Sequence, residues 1–519
     1  MTYSNIPSAQ TLVFYLKSQG IKNIVISPGS RNAPLTLSFT KNPFFNCFSI
    51  VDERSAGFFA MGMAQQLRQP VAVVCTSGSA LLNYYPAVAE AFYSDIPLLV
   101  ISADRPKYKI DVGDGQTIRQ EHIFENHIAF EANLKQDVVH AERTISEFAP
   151  QYLNESQKEI QRYNEQEIIK ALNILENQKA PVHINIPFEE PLYGMTDQSV
   201  IAVQEISHVK KEVEIELDWE KFKTIWNGSS RKMVLVGVNH PKALDTKILE
   251  QLATDKSILV FTETTSNIHH LDFFPSIDSI IAPIEKSENR EELFDQLRPD
   301  LLVTFGGLIV SKKVKAFLRK FKPKTHWHID SKKAFDTFFC LSDHIKMEPS
   351  TFFQKILGDK MAESNYQVRW SKFRRKYEKK RGEYLSKIPF SDFKVFDQIQ
   401  RKIPKEYQVH LANSSTVRYT QLFPMDASLE VYCNRGTSGI DGSTSTAMGA
   451  SVFFDKPTLL VTGDLSFFYD SNGLWNNYIR PDFRIILINN SGGGIFRILP
   501  GKEETEEFSS FFETQHGHT

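Results

Sequence analysis

Short runs of Val, Ile and Leu, each followed by a helix-like stretch, constrain the fold of this chain more than any other feature. Four such runs lie in the first 190 residues, at positions 23–27, 71–75, 97–102 and 182–186. They are rich in Val and Ile and do not alternate strictly, which is typical of strands that are buried on both faces. Because strands that alternate with helices form parallel sheets, the sequence predicts an α/β fold.

The same rhythm returns in two further blocks of the chain. Strands are predicted at 233–238, 257–262, 301–305 and 326–329, and again at 408–411, 459–462 and 484–488. The stretch 188–216 loses the pattern and is interpreted as a linker, whereas the highly charged stretch 366–387 predicts an exposed helix. The blocks predict three α/β domains with parallel sheets, at residues 1–190, 191–365 and 366–519.

The third block is shorter than the first. It has no closing strand and helix comparable to the stretch at 181–187 in the first block. We therefore expect the third domain to be truncated at its C-terminus.

Charge and cysteine usage exclude several classes of protein. Lys and Arg number 60 and Asp and Glu number 62, so the net charge of −2 gives no basic surplus for nucleic acid. The four cysteines are far apart in the sequence and form no CxxC pair, which favours reduced thiols and a cytoplasmic location. No signal peptide is recognisable at the N-terminus, and no apolar run reaches the roughly 18 residues of a membrane span.

Two motifs in the third block carry the strongest chemical signal. Gly-Asp-Leu-Ser at 463–466 follows one predicted strand, and Asn-Asn-Ser-Gly-Gly-Gly at 489–494 follows the next, with Asp464 and Asn490 26 positions apart. Strand ends separated by one crossover helix lie side by side in a parallel sheet. A carboxylate, an amide oxygen and a carbonyl in the Gly-rich turn suit Mg²⁺, which readily shares a diphosphate ligand. Taken singly, either motif is more often a helix N-cap or a plain loop.

This pair of motifs resembles the thiamin diphosphate signature, in which Gly-Asp is followed some 25 to 30 residues later by Asn-Asn. Leu465 stands where most of these enzymes have Gly. Such enzymes place a Glu from another domain against the pyrimidine ring, and Glu53 in Val-Asp-Glu-Arg-Ser-Ala-Gly-Phe fits that role. Without the metal motif, Glu53 would be interpreted as an acid in the first turn of a helix. Ile440 is the candidate for the bulky residue that holds the two cofactor rings bent together.

Arginines recur where predicted strands end, the edge at which parallel sheets place their sites. They are Arg31 in Ser-Pro-Gly-Ser-Arg, Arg105 in Ala-Asp-Arg-Pro, Arg418 after the strand at 408–411, and Arg435. A single arginine is more often a surface residue. Four in such positions favour substrates with several carboxylates, because a guanidinium binds a carboxylate through two hydrogen bonds.

The motifs together resemble the 2-succinyl-5-enolpyruvyl-6-hydroxy-3-cyclohexene-1-carboxylate (SEPHCHC) synthase family of menaquinone biosynthesis. The resemblance runs from about residue 7 to residue 513 and is weak in the middle block. It rests on Ile-Ser-Pro-Gly-Ser-Arg-Asn-Ala-Pro-Leu from 26, Asp-Glu-Arg-Ser-Ala-Gly-Phe from 52, Cys-Thr-Ser-Gly-Ser-Ala from 75, Ser-Ala-Asp-Arg-Pro from 102, Asn-Arg-Gly-Thr-Ser-Gly-Ile-Asp-Gly from 434 and Gly-Asp-Leu-Ser from 463. The last motif is the variant typical of this family.

The resemblance implies decarboxylation of 2-oxoglutarate and conjugate addition of the succinyl carbanion to isochorismate, giving SEPHCHC and CO₂. It implies thiamin diphosphate and Mg²⁺, with Mn²⁺ able to replace the latter, and a homodimer or homotetramer whose active site lies at a dimer interface. The implied catalytic residues are Glu53, Arg31 and Gln116. The implied substrate-binding residues are Ser30, Arg31, Arg105, Gln116, Lys312, Lys313, Ser414, Arg418, Arg435, Ile495 and Phe496. The implied cofactor-binding residues are Glu53, Ser414, Ser438, Ile440, Asp464, Leu465, Ser466, Asn490 and Gly492, with Asp464, Asn490 and Gly492 as metal ligands.

Three alternatives remain open. Another thiamin diphosphate-dependent 2-oxo acid decarboxylase or carboligase would share the cofactor motifs but would not need this arginine set. A silent cofactor-binding homologue would be expected to lack Glu53 or Asp464, and a dehydrogenase would need a Gly-x-Gly-x-x-Gly turn after its first strand. The histidine pairs His326/His328 and His516/His518 are interpreted as alternation along a strand and as part of a mobile tail, instead of as metal ligands.

Overall fold

The computed structural model describes residues 2–199, 201, 217–358, 362–498, 503 and 505–518. The chain forms two compact units, each discontinuous in sequence. The first unit comprises Met1–Glu212, Gly436–Thr458 and Ser466–Arg484, and the second comprises Val213–Arg435, Leu459–Leu465 and Ile485–Thr519. The linker predicted at 188–216 lies mostly outside the described residues, which resume at 217 after residue 201.

A six-stranded parallel sheet with strand order β3-β2-β4-β5-β7-β6 forms the centre of the first unit. The strands of this region are β1 Tyr3–Ser4, β2 Asn23–Ile26, β3 Asn46–Ser49, β4 Val71–Cys75, β5 Leu98–Asp104, β6 Phe130–Asn133, β7 Val182–Pro187 and β8 Met195–Thr196. Its helices are α1 Pro7–Ser18, α2 Ala33–Thr40, α3 Glu53–Leu67, α4 Ser79–Asn83, α5 Tyr85–Tyr93, α6 Glu142–Phe148 and α7 Gln157–Gln178. The four predicted strands are confirmed as β2, β4, β5 and β7. Strands β1 and β8 pair separately as an antiparallel ribbon.

The second unit contains a five-stranded parallel sheet with strand order β10-β9-β11-β12-β13. The strands are β9 Lys232–Val236, β10 Ile258–Phe261, β11 Leu301–Phe305, β12 Thr325–Ile329 and β13 Asp343–Ile345. The helices are α8 Trp219–Gly228, α9 Thr246–Thr254, α10 Asp278–Glu285, α11 Arg290–Leu297, α12 Lys312–Lys320 and α13 Pro349–Ile356. All four strands predicted here are confirmed. His326 and His328 both lie on β12 and both contact Thr304 Oγ1, at 2.9 and 2.8 Å, which confirms their interpretation as strand residues.

A four-stranded sheet with strand order β15-β14-β16-β17 completes the fold. The strands are β14 Gln408–Leu411, β15 Glu430–Tyr432, β16 Thr458–Gly463 and β17 Phe483–Ile488. The helices are α14 Tyr366–Leu385, α15 Asp392–Lys402, α16 Ser415–Thr420, α17 Ser443–Ser451 and α18 Asp464–Asp470. The predicted charged helix is confirmed as α14. Strand β15 was not predicted, because its three residues are too few to give a pattern.

Small residues allow α3 and α17 to approach each other closely within the first unit. A Cβ atom on Gly62 of α3 would lie 2.1 Å from the carbonyl oxygen of Thr446, and one on Gly449 of α17 would lie 1.9 Å from that of Phe59. Real Cβ contacts of this length do not occur, so only glycine fits at either position. This packing fixes the helix that begins at Glu53.

Of the helices in the described part of the chain, none combines the length and the apolar character that a bilayer span needs. The division into three domains at 1–190, 191–365 and 366–519 stays a prediction. The three sheets of four or more strands fall within those ranges, whereas the β1–β8 ribbon and the two compact units cross them.

Candidate active site

Asp464 joins the two motifs of the third block. It follows β16 as the first residue of α18, and its side chain is buried. Its Oδ1 accepts a hydrogen bond from the Leu465 N–H at 2.7 Å, and its Oδ2 accepts one from the Gly492 N–H at 3.0 Å. The sheet order places β16 and β17 next to each other, as the spacing of the motifs predicts.

The Gly-rich turn after β17 supplies two further oxygens, Oδ1 of Asn490 and the main-chain carbonyl of Gly492. Asn490 donates from Nδ2 to Asp392 at 2.8 Å, so its Oδ1 is the atom suited to bind a cation. Gly492 has a φ of 145°, and a Cβ atom there would lie 2.6 Å from the carbonyl oxygen of Glu513. The turn therefore needs glycine at 492, which brings the main chain directly against the Asp464 carboxylate.

His516 does not belong to a mobile tail, and that interpretation is wrong. Its side chain is only 9% exposed, and its Nε2 lies 3.1 Å from Asp464 Oδ2. The ring stacks on that of His518, and the main-chain N–H donates to the Ser491 carbonyl at 3.4 Å. The contacts with Asp464 and Ser491 are long-range in sequence, so the isolated His-Gly-His pattern could not indicate them.

Ile495 and Phe496 lie just beyond the Gly-rich turn, in the short 3₁₀ helix Gly494–Ile498. The ring of Phe496 meets that of Phe512 edge-on, with centroids 6.0 Å apart. Both side chains are half-buried. They provide apolar surface beside the polar oxygens of the turn.

Two predicted substrate-binding arginines lie in the second unit. Arg418, on α16, donates from Nη1 to the Val310 carbonyl at 3.5 Å, and the buried Arg435 donates from Nη1 to Asn413 Oδ1 at 2.5 Å. Burial, followed by the repulsion of Arg435, lowers the pKa of Arg418. An anionic ligand would relieve both effects. Ser414 precedes α16 with a φ of 69° and a ψ of −127°, a positive-φ conformation outside the αL region that L-residues rarely adopt.

The predicted lysine pair is divided between two environments. Lys312 and Lys313 are the first residues of α12. Lys313 forms an ion pair with Glu285, whereas Lys312 is exposed. Lys312 is therefore the member of the pair with more freedom to reach a ligand.

Glu53 begins α3 in the first unit, and its neighbour Asp52 caps that helix. Asp52 Oδ1 accepts from the Ser55 N–H at 3.1 Å, and Oδ2 accepts from Asn472 Nδ2 at 2.7 Å. Burial raises the pKa of Glu53, and the charge of Asp52 raises it further, although the main-chain N–H of Glu53 opposes both. Burial has the largest effect, and the net shift of the pKa is upward.

The loops after β2 and β5 place the other candidates of the first unit. Arg31 is fully buried and donates to the Phe188 carbonyl at 2.8 Å and to Glu190 at 3.1 Å, whereas Ser30 is exposed. Arg105 donates from Nη2 to the Gly115 carbonyl at 3.2 Å. This contact ties the arginine to the segment that carries Gln116.

A buried polar network that the sequence analysis missed supports these loops. Asn185 donates to Asp104 Oδ2 at 2.8 Å and accepts from Gln120 Nε2 at 2.9 Å, and Gln120 Oε1 accepts from the Gly78 N–H at 2.8 Å. Burial raises the pKa of Asp104 to about 7. The polar residues Asp104 and Asn185, inside the largely apolar strands β5 and β7, were the sequence signal for this network.

Ser438, Ile440 and Ser466 lie within the first unit, on segments fixed by a buried carboxylate. Glu90 is 1% exposed and accepts from the main-chain N–H groups of Gly436 and Thr437, at 2.6 and 2.7 Å. Ser466 Oγ donates to the Ile440 carbonyl at 2.5 Å. The half-buried Ile440 is thereby held in one place. Leu465 lies in the second unit, beside Asp464.

Comparison with known proteins identifies the family. Residues 8–132 match the family described as thiamine pyrophosphate enzyme, N-terminal TPP binding domain. The chain is 54% identical over 518 residues to the 2-succinyl-5-enolpyruvyl-6-hydroxy-3-cyclohexene-1-carboxylate synthase of Christiangramia forsetii, covering 99% of this chain and 89% of the relative. The chain belongs to this synthase family. Proteins of the same name from Flavobacterium johnsoniae and Porphyromonas gingivalis are 52% and 39% identical, covering 99% of this chain and 89% and 87% of the relatives.

As a member of the SEPHCHC synthase family, the chain is a thiamin diphosphate-dependent transferase of menaquinone biosynthesis. This agrees with the resemblance drawn from the motifs. The predicted fold class is confirmed too, because the parallel sheets with flanking helices fit the matched cofactor-binding domain.

Proposed function

We propose that the protein decarboxylates 2-oxoglutarate and adds the succinyl group to isochorismate, forming SEPHCHC and CO₂. The observation that carries this proposal is the 3.0 Å hydrogen bond from the Gly492 N–H to Asp464, which brings the two cofactor motifs together. Bound thiamin diphosphate supplies a stabilised carbanion and an electron sink. The protein supplies the binding, orientation and proton placement described below.

Mg²⁺ is held, in this proposal, by Asp464, by Asn490 Oδ1 and by the main-chain carbonyl of Gly492. All three are hard oxygen ligands, and Mn²⁺ could replace Mg²⁺ at such a site. A carboxylate has about four lone-pair positions, so the contacts of Asp464 leave capacity for a cation. Three protein oxygens leave room in an octahedral shell for the cofactor diphosphate.

Glu53 holds a proton at the pyrimidine nitrogen of the cofactor. Partial burial raises its pKa, and capping by Asp52 fixes the start of its helix. Ser438, Ile440, Leu465 and Ser466 are proposed to line the cofactor, because they lie in the segments that carry the matching family motifs. Ser414 contributes from the start of α16.

The substrate carboxylates are bound by the arginines at the strand ends. Arg418 is assigned to the distal carboxylate of 2-oxoglutarate, because its pKa is lowered by burial and by Arg435 and an anion would relieve that strain. Arg31, Arg105, Gln116 and Ser30 follow strands of the first unit and are assigned to the substrates by their family positions. The remaining residues assigned to substrate binding are Arg435, Lys312, Lys313, Ile495 and Phe496. The two lysines are assigned to isochorismate.

Replacing Arg418 with Ala should raise the KM for 2-oxoglutarate far more than that for isochorismate. Truncating one partner of a buried charge pair typically costs about 2–5 kcal/mol, which corresponds to roughly 30-fold or more. Steady-state kinetics with each substrate varied in turn measures the difference. Arg401→Ala is the matched control, because Arg401 is exposed and pairs with Asp397 on its own helix. Equal increases for both substrates would contradict the assignment.

Self-association completes the proposed site. Residues 469–479 are tied to residues 49–54, around the start of α3, by hydrogen bonds from the Ser49 N–H to Tyr478 at 2.7 Å and from Arg54 to the Tyr469 carbonyl at 2.6 Å. Large apolar side chains are exposed in these segments: Val51 at 63%, Tyr469 at 53%, Trp475 at 67% and Ile479 at 46%. Such a patch is typical of an interface, and a homodimer or homotetramer would cover it.

Replacing Trp475 with Ser should weaken that assembly. An aromatic hot spot typically contributes about 2 kcal/mol or more, so we expect the dissociation constant to rise at least about 30-fold. Sedimentation velocity over a concentration series measures it. Leu271→Ser, at a side chain that is 91% exposed in the other unit, should leave the assembly unchanged. If the Trp475 variant assembles like the parent protein, this patch is not part of the interface.

A cytoplasmic location and the three-domain division are part of the same proposal. All four cysteines are free thiols, as a reducing compartment favours. The three sheets support domains at 1–190, 191–365 and 366–519.

Product analysis separates this reaction from the alternative of a simple 2-oxo acid decarboxylase or another carboligase. With thiamin diphosphate, Mg²⁺ and 2-oxoglutarate, we expect slow CO₂ release that becomes fast when isochorismate is added. Loss of isochorismate should then match CO₂ in a ratio of about one, as the addition requires. Fast release of succinic semialdehyde without isochorismate would favour the decarboxylase.

A further inference from the structure

A buried carboxylate in the second unit lies outside the groups assigned so far. Glu263 follows β10 and is only 2% exposed. Its Oε2 accepts from the Val310 N–H and its Oε1 from the Ser311 N–H, each at 2.7 Å. Burying a carboxylate carries a large desolvation penalty, so its two oxygens are found where main-chain donors compensate for it.

The turn that Glu263 holds touches two candidate substrate-binding groups. The carbonyl of Val310 accepts the 3.5 Å hydrogen bond from Arg418. Ser311 caps α12 by accepting from the Val314 N–H at 3.1 Å, and Lys312 is the next residue. Moving the turn at 310–311 would therefore move the partner of Arg418 and the start of α12 together.

The turn after Glu263 also holds the segment that leads to Arg435. Asn267 donates from Nδ2 to the Val431 carbonyl and accepts at Oδ1 from the Val431 N–H, both at 2.8 Å. Val431 lies on β15, four residues before Arg435. The turn is itself fixed, because the Glu263 N–H donates to Ser266 Oγ, which donates to the Val236 carbonyl. Residues 263–267 thus contact both the 310–311 turn, whose Val310 carbonyl accepts from Arg418, and the strand that leads to Arg435.

Charged groups of both signs lie around Glu263: Arg435, Arg418, Lys315 and Asp278. Arg435 and the two main-chain donors lower the pKa of Glu263, whereas Asp278 raises it, and the dominant effect of burial brings it to about 7. Glu263 in turn raises the pKa values of Lys315 and Arg418, although burial lowers both. Glu263 is a negative group beneath a cluster of cations.

We propose that Glu263 is a positioning residue for substrate binding, which holds the turn at 310–311 so that Arg418 and the start of α12 present their cations to the substrate carboxylates. The inference rests on the proposed function, because it assigns Arg418 to 2-oxoglutarate. Glu263 itself touches no substrate and no cofactor.

Replacing Glu263 with Gln tests this directly. The amide keeps the size of the side chain but presents NH₂ to one of the two N–H donors, so the turn loses a hydrogen bond. We expect the KM for 2-oxoglutarate to rise about ten-fold and kcat to change less than about three-fold. Thiamin diphosphate affinity and the melting temperature are measured in parallel, and the affinity should stay within about two-fold. Glu220→Gln, at an exposed glutamate of the same unit, is the matched control.

The pH dependence distinguishes positioning from a general structural role. Below a pKa of about 7, the wild-type carboxyl takes up a proton and loses one acceptor, so it comes to resemble Gln. The ratio of wild-type to variant kcat/KM for 2-oxoglutarate should therefore fall from about ten at pH 8.5 toward one at pH 5.5. A ratio that is constant with pH, or equal losses of cofactor affinity and of substrate affinity, would overturn the inference.

Two further measurements keep the test decisive. If Glu263→Gln does not fold, Glu263→Asp keeps the charge but cannot reach both N–H groups, and should raise the same KM. If neither variant folds, the wild-type protein alone is tested. Its KM for 2-oxoglutarate must rise below pH 7 while its affinity for thiamin diphosphate stays unchanged, and a KM that does not vary with pH contradicts the inference. If Arg418→Ala leaves the KM for 2-oxoglutarate unchanged, that result contradicts the proposed function and not the role of Glu263. The two failures are therefore distinguishable.

Discussion

Replacing Glu53 with Gln should lower kcat by about 10²–10⁴-fold, while thiamin diphosphate affinity stays within a few-fold. The amide keeps the shape of the side chain and can still form a hydrogen bond to the pyrimidine nitrogen. It has no acidic proton to share with that nitrogen, and positioned acid–base groups typically contribute factors of this size. Partial burial raises the pKa of Glu53, which agrees with such a role.

Hydrogen–deuterium exchange at C2 of the bound cofactor measures this effect without the substrates. We expect the Gln variant to bind thiamin diphosphate but to exchange the C2 proton slowly. Glu125→Gln, at an exposed glutamate of the same unit, should exchange at the wild-type rate. If the Glu53→Gln variant exchanges the C2 proton at the wild-type rate, Glu53 is only an acidic residue in the first turn of α3 and does not activate the cofactor.

Replacing Asp464 with Ala should reduce thiamin diphosphate affinity at least about 100-fold. Even groups that only support a metal ligand typically contribute about 10–100-fold in metal affinity, and Asp464 is proposed as a ligand itself. The variant also loses the acceptor for the Gly492 N–H, so the Gly-rich turn should loosen.

Calorimetric titration with thiamin diphosphate, in the presence of Mg²⁺ and then of a chelator, checks this expectation. The chelator should reduce wild-type affinity strongly and should have little further effect on Asp464→Ala. Asp455→Ala, at an exposed aspartate, is the control and should bind normally. Unchanged affinity in the Asp464 variant would remove the metal assignment.

The sequence was informative wherever local pattern and strand ends decide the structure. Strands β4, β11 and β14 match their predicted bounds; β4 and β11 are mainly apolar runs bounded by turn residues, whereas β14 alternates polar and apolar residues. The meeting of Asp464 with Gly492 followed from the order of strands in a parallel sheet. The small residues of α3 have a purpose, the close approach of α17, that depends on distant partners such as Thr446 and Gly449.

The residues that sequence reasoning missed act through long-range contacts. Glu90 binds main-chain N–H groups at 436 and 437, and Glu263 binds those at 310 and 311. Main-chain donors have no sequence signature, so an acidic residue that binds them cannot be told from other acidic residues in the sequence. His516 was misassigned for the same reason, because its partner Asp464 lies 52 positions earlier.

A crystal structure of the protein with thiamin diphosphate and Mg²⁺ tests the central claim most directly. The account predicts one Mg²⁺ in octahedral coordination, with Asp464, Asn490 Oδ1 and the Gly492 carbonyl at about 2.0–2.1 Å and diphosphate oxygens among the remaining ligands. It predicts the Glu53 carboxyl within hydrogen-bond distance of a pyrimidine nitrogen, from the same subunit or its partner. A diphosphate bound away from Asp464, or a pyrimidine ring with no contact to any Glu53, would contradict the account.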